Sequence, residues 1–282
     1  MAARIFSLLP ALLVALVLNA APAVAANCFP VVRAPSPNAL ALHRASLQTA
    51  QAPQSPMPDL LAPGSAEITY LGHSSFLIRS PQNVTAITDY NGINRAMVVP
   101  EIVTMNHAHS SHYTDFVEPG VKHILRGWAT PPDGYPRHDL RLRDLRVRNV
   151  ATNIRGFGGG DEFAGNSIFI FETPDLCIAH FGHLHHDLDA GRLGRMGQID
   201  IAMVPVDGGM TLPHEDMAKA VLALGPKMVV PMHAFGPWSL ERFATLMRDR
   251  GYAIRRATGA RVMVTRADLK TRSVLIFPEH LY

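Results

Sequence analysis

Cysteine is scarce in this chain: Cys28 and Cys177 are the only two in 282 residues. A thiolate zinc site needs cysteines at short spacing, so that class is excluded. The two could pair in an oxidising compartment. Cys177, however, stands in the apolar run Leu176-Cys177-Ile178-Ala179, and Cys28 falls in the expected loose N-terminus of the mature chain. The expected state of Cys177 is therefore a buried free thiol. Charge of one sign is also scarce. The net charge is +3, and no lysine/arginine block with interleaved aromatics occurs, which excludes nucleic acid as the expected partner. The densest basic stretch, Arg137 to Arg148, alternates with Leu and Asp and reads as an exposed strand edge or loop. No repeat at a solenoid period is present. Beyond the N-terminus, no apolar run is long enough to span a bilayer.

What is present begins with that N-terminus. Arg4 precedes an apolar run from Ile5 to Leu18, and Ala23-Val24-Ala25 supplies small residues where a signal peptidase reads. Residues 1–26 are expected to be a secretory signal peptide, cut after Ala25 or Ala26, with a periplasmic or secreted mature protein and no remaining membrane span. Asn27 before Cys28 is a poor lipobox residue, which argues against a lipoprotein. Residues 27–65, rich in Pro, Ala, Ser and Gln, read as a leader or linker with one short helix at Asn38 to Ala50. One domain is expected over 66–282. With 48% hydrophobic residues it can bury a sizeable core.

Strand patterns fall at 68–71, 76–78, 84–88, 102–105, 124–125, 145–147, 167–171, 177–179, 201–204 and 228–230. Amphipathic helical spacing appears at His214 to Leu224 and Leu240 to Arg250, stopped by Gly225-Pro226 and by Gly251. Strands come first and strand–helix alternation follows late. That order predicts an α/β sandwich of two sheets with helices outside.

The histidines carry the chemistry. There are fourteen, and their placement matters more than their number. His107, His109 and His112 lie within six residues directly after a buried-strand pattern. Extended residues two apart face one side, so His107 and His109 can point at one ion. A turn after them would bring His112 close. A second cluster, His180-Phe181-Gly182-His183-Leu184-His185-His186, follows another apolar strand, with Gly182 allowing a sharp bend. A third strand, Val229-Val230-Pro231-Met232, runs into His233. Three strands that each end in histidine predict a site assembled at one sheet edge. Neutral imidazoles suit zinc, with Mn2+ or Fe2+ as alternatives. His43, His123, His138, His214 and His280 lack such context and are read as ordinary surface or core residues.

At these residues the chain resembles the metallo-β-lactamase superfamily, most nearly its ascorbate-phosphate lactonase-like, lactamase-B-3 branch. Ile68-Thr69-Tyr70-Leu71-Gly72-His73-Ser74-Ser75-Phe76 is similar to that branch's first hairpin. His107-x-His109-x-Ser111-His112 is similar to its HxHxDH signature, and 179–186 to its HLGDLGH stretch. Pro205-Val206-Asp207-Gly208-Gly209 and Pro231-Met232-His233 are similar to its closing segments. The resemblance implies an αββα sandwich of two mixed sheets with outer helices. It also implies metal-assisted hydrolysis, in which the ion lowers the pKa of a water from about 15.7 to about 7 and supplies hydroxide at neutral pH.

Three departures shape the expected site. The family's HxHxDH aspartate is Ser111 here, and its bridging aspartate is His183. A further ligand histidine expected before the 166–169 strand is missing. One imidazole nitrogen cannot bridge two ions as a carboxylate does, so one metal is expected rather than two. The resemblance implies His107, His109, His183 and His233 as ligands, with His112 as alternate. It places Asp89, His180 and His186 behind them. Asp207 is the expected general base, with Asp187 and His186 as substitutes, although Asp207 is equally well read as a turn residue before Gly208-Gly209. Ser111 would orient the attacking water, and His73 would stand on the substrate side. The expected activity is hydrolysis of a small lactone, ester or phosphoester. The alternative is a metal-binding or ligand-binding protein that keeps the fold without turnover. A true β-lactamase is not expected, because the resemblance is to a different branch.

Overall fold

The structure, a computed structural model, describes residues 28–29, 60–107, 109–130, 134–156 and 158–278. The expected signal peptide, the helix at 38–50, His43 and His280 lie outside those residues.

Among the described residues, fourteen strands form two mixed sheets. The first joins β1 (Ser65–Gly72), β2 (Ser75–Arg79), β3 (Thr85–Thr88), β4 (Ile102–Met105) and β5 (His123–Arg126), with β13 (Arg261–Thr265) on the outside of β1. The second runs in the order β12-β14-β11-β10-β9-β8-β7-β6. These strands are β6 (Asp139–Leu142), β7 (Leu145–Arg155), β8 (Asp161–Glu172), β9 (Cys177–His180), β10 (Ile201–Pro205), β11 (Met228–Met232), β12 (Ala253–Arg256) and β14 (Ser273–Ile276). Every expected strand is present. The basic stretch from Arg137 supplies β6, an edge strand, as its alternation of charge suggested.

Side-chain alternation explains how the layers stack. In β8, Phe169 and Phe171 face the core between the sheets, whereas Ile168 and Ile170 face outward. In β10, Ile201 and Met203 face inward while Ala202 and Val204 face outward. The parallel strands of the second sheet are therefore apolar on both sides, and helices must cover the outer one. Three do: α1 (Ala190–Met196), α2 (His214–Leu224) and α3 (Pro237–Asp249). Met217, Ala218 and Val221 of α2, with Leu240, Phe243 and Met247 of α3, bury against that face.

The expected sandwich of two mixed sheets with outer helices is met, the three described α-helices lying against the second sheet. Among the described residues no helix covers the outer face of the first sheet. A third cluster of Leu77, Ile87, Tyr90, Val103 and Met105 is closed there by loop residues such as Tyr113, Val117 and Trp128.

Cys28 and Cys177 are joined in a disulfide, which corrects the expected free thiol. Cys28 is buried at the start of β9 in the helix-side core, its carbonyl accepts the Gln198 N–H at 2.7 Å, and the Phe29 ring lies under the Arg148 guanidinium. Packing and main-chain bonding thus hold residue 28 against a strand distant in sequence, where an isolated apolar run gave no sign of a partner.

Candidate metal centre

β1 and β3 run in one direction, β4 is parallel to β3, and β9, β10 and β11 are mutually parallel. Their C-terminal ends carry nearly every candidate residue. His73 sits in the β1–β2 turn, Asp89 just past β3, and His107, His109 and His112 past β4. His183 and His185 follow β9, Asp207 follows β10, and His233 follows β11. The three histidine clusters do converge. Ring centroids of His112 and His183 are 4.7 Å apart, those of His183 and His233 5.1 Å, and those of His107 and His183 5.5 Å.

The tightest group differs from the expected one. Ring nitrogens of His73, His112 and His233 all lie within 4.8 Å of one another. His112, the expected alternate, is central. His73, expected on the substrate side, has its ring tilted against that of His233, centroids 4.3 Å apart. His109 is solvent-exposed, with Nδ1 at 2.9 Å from Ser111 Oγ, so it stands at the rim.

Hydrogen bonds decide which nitrogen each ring can offer. His112 Nδ1 donates to Asp89 Oδ2 at 2.5 Å, His233 Nδ1 to Asp207 Oδ2 at 3.1 Å, and His107 Nδ1 to the Gly165 carbonyl at 2.7 Å. An imidazole that donates from Nδ1 keeps its lone pair on Nε2, the state a metal ligand needs. The Nε2 atoms of His112 and His73 are buried without any hydrogen-bond partner. Buried polar atoms are rarely left so, and a cation between them would satisfy both. His180 is different. Its Nε2 donates to the Ser74 carbonyl at 2.7 Å and its Nδ1 accepts from Gly182 N–H, so it offers nothing to an ion. It supports the site by holding Ser74, whose hydroxyl donates to Asp89.

Two expectations about supporting residues, the base role of Asp207 and the backing role of His186, are corrected by their partners. Asp207 is not free to act as a base. Its Oδ1 accepts the N–H groups of Gly209, Met210 and Thr211, and its Oδ2 accepts the Thr211 hydroxyl and faces His233. Turn former and orienter of His233 are both its roles. His186 turns away to Asp161, 3.2 Å distant, and does not back the ligands. His185 is buried and lines the cleft. His123 and His138 lie on strand β5 and beside β6, and buried His214 is satisfied by Val206 O and Ser239 Oγ, as their lack of context implied.

Burial favours the neutral form of His73, His107 and His183. His73 is lowered to about 4, first by burial and then by the neighbouring His233 and His112. Burial, then His112 and His233, push His183 down strongly, and burial also lowers His107. Burial alone would raise Asp89, but the charge and hydrogen bond of His112 outweigh it and hold the carboxylate well below its ordinary range. Asp207 is lowered likewise, against burial, by its bonds from His233, Thr211 and Gly209. Imidazoles that offer a free nitrogen, two of them backed by ionised carboxylates, fit a divalent transition metal.

Some of the positioning was invisible in the sequence. Asn166 accepts the His183 N–H at 2.8 Å and donates to Thr152 Oγ1 and the Phe181 carbonyl, while Asn106 donates to the Ser167 carbonyl at 2.7 Å. These two amides tie the β4 loop of one sheet to β8 and the β9 loop of the other. Gly182 has φ +59°, and a Cβ there would fall 2.5 Å from both amide side chains. The sharp bend foreseen at Gly182 thus has a steric reason. Asp89, His73 and His233 are themselves left-handed, with φ of 51°, 53° and 53°. Such backbone costs of order 1–3 kcal/mol each and clusters at functional sites.

Comparison with known proteins agrees with this architecture. Residues 67–233 match the model of the β-lactamase superfamily domain. A UPF0173 metal-dependent hydrolase of Symbiobacterium thermophilum is 31% identical over 219 residues, covering 69% of this chain and 93% of the relative. Another, from Pelotomaculum thermopropionicum, is 27% identical over 197 residues, covering 62% and 86%. A metallo-β-lactamase-superfamily structure from Thermotoga maritima superposes with a TM-score of 0.56 at 22% identity, covering 75% of this chain and 98% of the other. With the fold, the histidine edge and these relatives in agreement, the chain belongs to the metallo-β-lactamase superfamily, among its metal-dependent hydrolases.

Proposed function

We propose that this protein is an exported hydrolase that binds one transition metal, zinc foremost, through His73, His112 and His233 and acts on a small ester-like or lactone substrate. The observation that carries the reading is the trio of ring nitrogens within 4.8 Å, two of them buried and unpartnered. A bound ion would lower the pKa of a water toward neutrality and polarise a carbonyl. The chain's own residues do the rest. Asp89 and Asp207 fix the tautomers of His112 and His233. His107 and His183 stand beside the trio with rings kept neutral, ready as additional ligands or as hydrogen-bond partners for a water. Ser111 lines the same cleft, where its hydroxyl can orient that water. Export is supported by the N-terminal apolar run with its small-residue cut site and by the Cys28–Cys177 bond.

Asp207 is engaged on both oxygens, and this favours the second reading, a metal-holding protein without turnover. Elemental analysis of the mature protein, followed by an esterase, lactonase and phosphodiesterase panel, separates the two. About one equivalent of metal is expected in the wild type and a sharp loss in His112→Ala. Unchanged metal content in that variant refutes the ligand assignment. Bound metal with no turnover on any substrate leaves the sequestering role.

A further inference from the structure

The cleft beside the trio is about 720 Å³, enough for a small organic ligand. Its charges and its walls differ in character. Among the described residues that line it, Arg155 is the one arginine or lysine, and its guanidinium is committed to protein. Nη1 donates to the His185 carbonyl at 3.3 Å, and Nη2 to the carbonyls of Gly209, Met210 and Thr211 at 2.8–3.0 Å. Glu162 also lines the cleft and adds a carboxylate. Among the described lining residues no side-chain cation is left uncommitted for a phosphate, which would have to rely on the bound ion alone rather than on a guanidinium fork.

Ile154, Met210 and Phe235 are the apolar side chains among the described lining residues, and Met210 and Phe235 are 62% and 63% exposed. Phe235 lies edge-on to His233, ring centroids 5.1 Å apart, and 6.0 Å from His73. An exposed aromatic ring directly against the proposed metal ligands is a surface that a bound molecule would cover. His185 lines the same cleft. Its Nδ1 accepts the Arg155 backbone N–H at 2.8 Å, so the neutral ring carries its proton on Nε2, and that atom is buried without a partner.

We infer that the substrate is an uncharged carboxylic ester or lactone with an apolar arm, the arm lying over Phe235 and Met210 and the carbonyl end facing His185 Nε2–H. This rests on the hydrolase reading above and narrows it to carboxylic esters and lactones. In the reaction a water oxygen bonds to the acyl carbon and the bond from that carbon to the alkoxy oxygen breaks. The water's proton ends on the departing alkoxide, giving an acid and an alcohol, or one hydroxy acid from a lactone. No oxidant or reductant is needed.

The test uses the mature, metal-loaded protein and separates binding from turnover. Two uncharged carbonyl probes that cannot be hydrolysed, 2-octanone and 2-butanone, are titrated by saturation-transfer NMR. Octanone should bind about tenfold more tightly or better, from the methylenes it covers, and Phe235→Ala should shrink that ratio to about twofold. In turnover, p-nitrophenyl octanoate should exceed the acetate in kcat/KM, and bis(p-nitrophenyl) phosphate should be the poorest of the three. His185→Leu should lower kcat for the octanoate about tenfold or more with little change in KM, and His185→Gln, which keeps an N–H donor, should recover part of it. Equal binding of the two ketones, or a phosphodiester turned over faster than the octanoate, overturns the inference. A length preference in binding with no turnover of any ester keeps the arm site and refutes the hydrolase reading. Turnover without any length preference does the reverse.

Discussion

Asp89→Asn tests the centre with the least disturbance. Asp89 has φ 51°, a backbone conformation that asparagine tolerates better than almost any other side chain, so the main chain has no reason to move. The carboxylate is fully buried. Oδ2 accepts from both Ser74 Oγ and His112 Nδ1, and Oδ1 accepts the Asn106 N–H at 3.3 Å. An amide has only one oxygen. If that oxygen serves Ser74 and His112, the NH2 group confronts the Asn106 N–H. If it serves Asn106, the NH2 group confronts the Nδ1 proton of His112. Either way one donor loses its acceptor, and His112 loses a full negative charge that makes its other nitrogen a better ligand. Losing such an outer partner typically weakens metal binding about 10- to 100-fold, or roughly 1.4–2.7 kcal/mol. The assay is competition for zinc against a chromogenic chelator at neutral pH, with thermal melts in EDTA to confirm that the metal-free variant is folded. A folded variant whose zinc affinity stays within about twofold of wild type would refute the claim that Asp89 prepares His112 for an ion.

Two further outcomes follow from the same coordinates. Replacing both cysteines by serine opens a loop closed across 149 residues, and the chain-entropy account gives an upper limit of about 5 kcal/mol lost. The denaturant midpoint should fall clearly while metal content is retained, and an unmoved midpoint would show that the bond adds nothing. For the metal-free protein, His73 and His185 titrate near 4 when folded, below the 6.5 of a free imidazole, burial being the main cause for each. The unfolded chain therefore takes up protons first, so stability is full above about 6.5 and declines as pH falls toward about 4. Asp89 and Asp207, with lowered values, add a second loss below the ordinary carboxylate range. Urea midpoints in EDTA that stay flat from pH 7 to 4 would contradict this.

Periodicity made most of the scaffold legible. The ten expected strands and two longer helices are all present because each buries a face of fixed spacing, as Phe169 and Phe171 do against Ile168 and Ile170. What escaped was either short or polar. The seven-residue α1 contains two glycines, and β12 is exposed and basic. The long extension of β7 through Arg155 alternates polar residues that read as loop. The assignment of β13 to one sheet and of β12 and β14 to the other depends on non-local pairing. The same division holds at the site. Histidines at strand ends announced themselves by local context. The promotion of His73 and His112 over His109, and the commitment of Asp207 to its own turn, depend on which nitrogens and oxygens already have partners. Ser111 and His183, where the family carries carboxylates, still stand beside the trio, so those departures altered the donor set without dispersing the site.

The trio draws on both halves of the sandwich. His73 and His112 come from turns and loops of one sheet, whereas His233 follows β11 of the other. An ion held by all three would act as a clasp on the rim of the fold, resisting any separation of the layers there. At a free metal concentration a hundredfold above its dissociation constant, that clasp would add about 2.7 kcal/mol. Hydrogen exchange at Met232, His233 and the 73–75 turn should then report occupancy directly, slowing as the clasp closes, whatever molecule the cleft accepts.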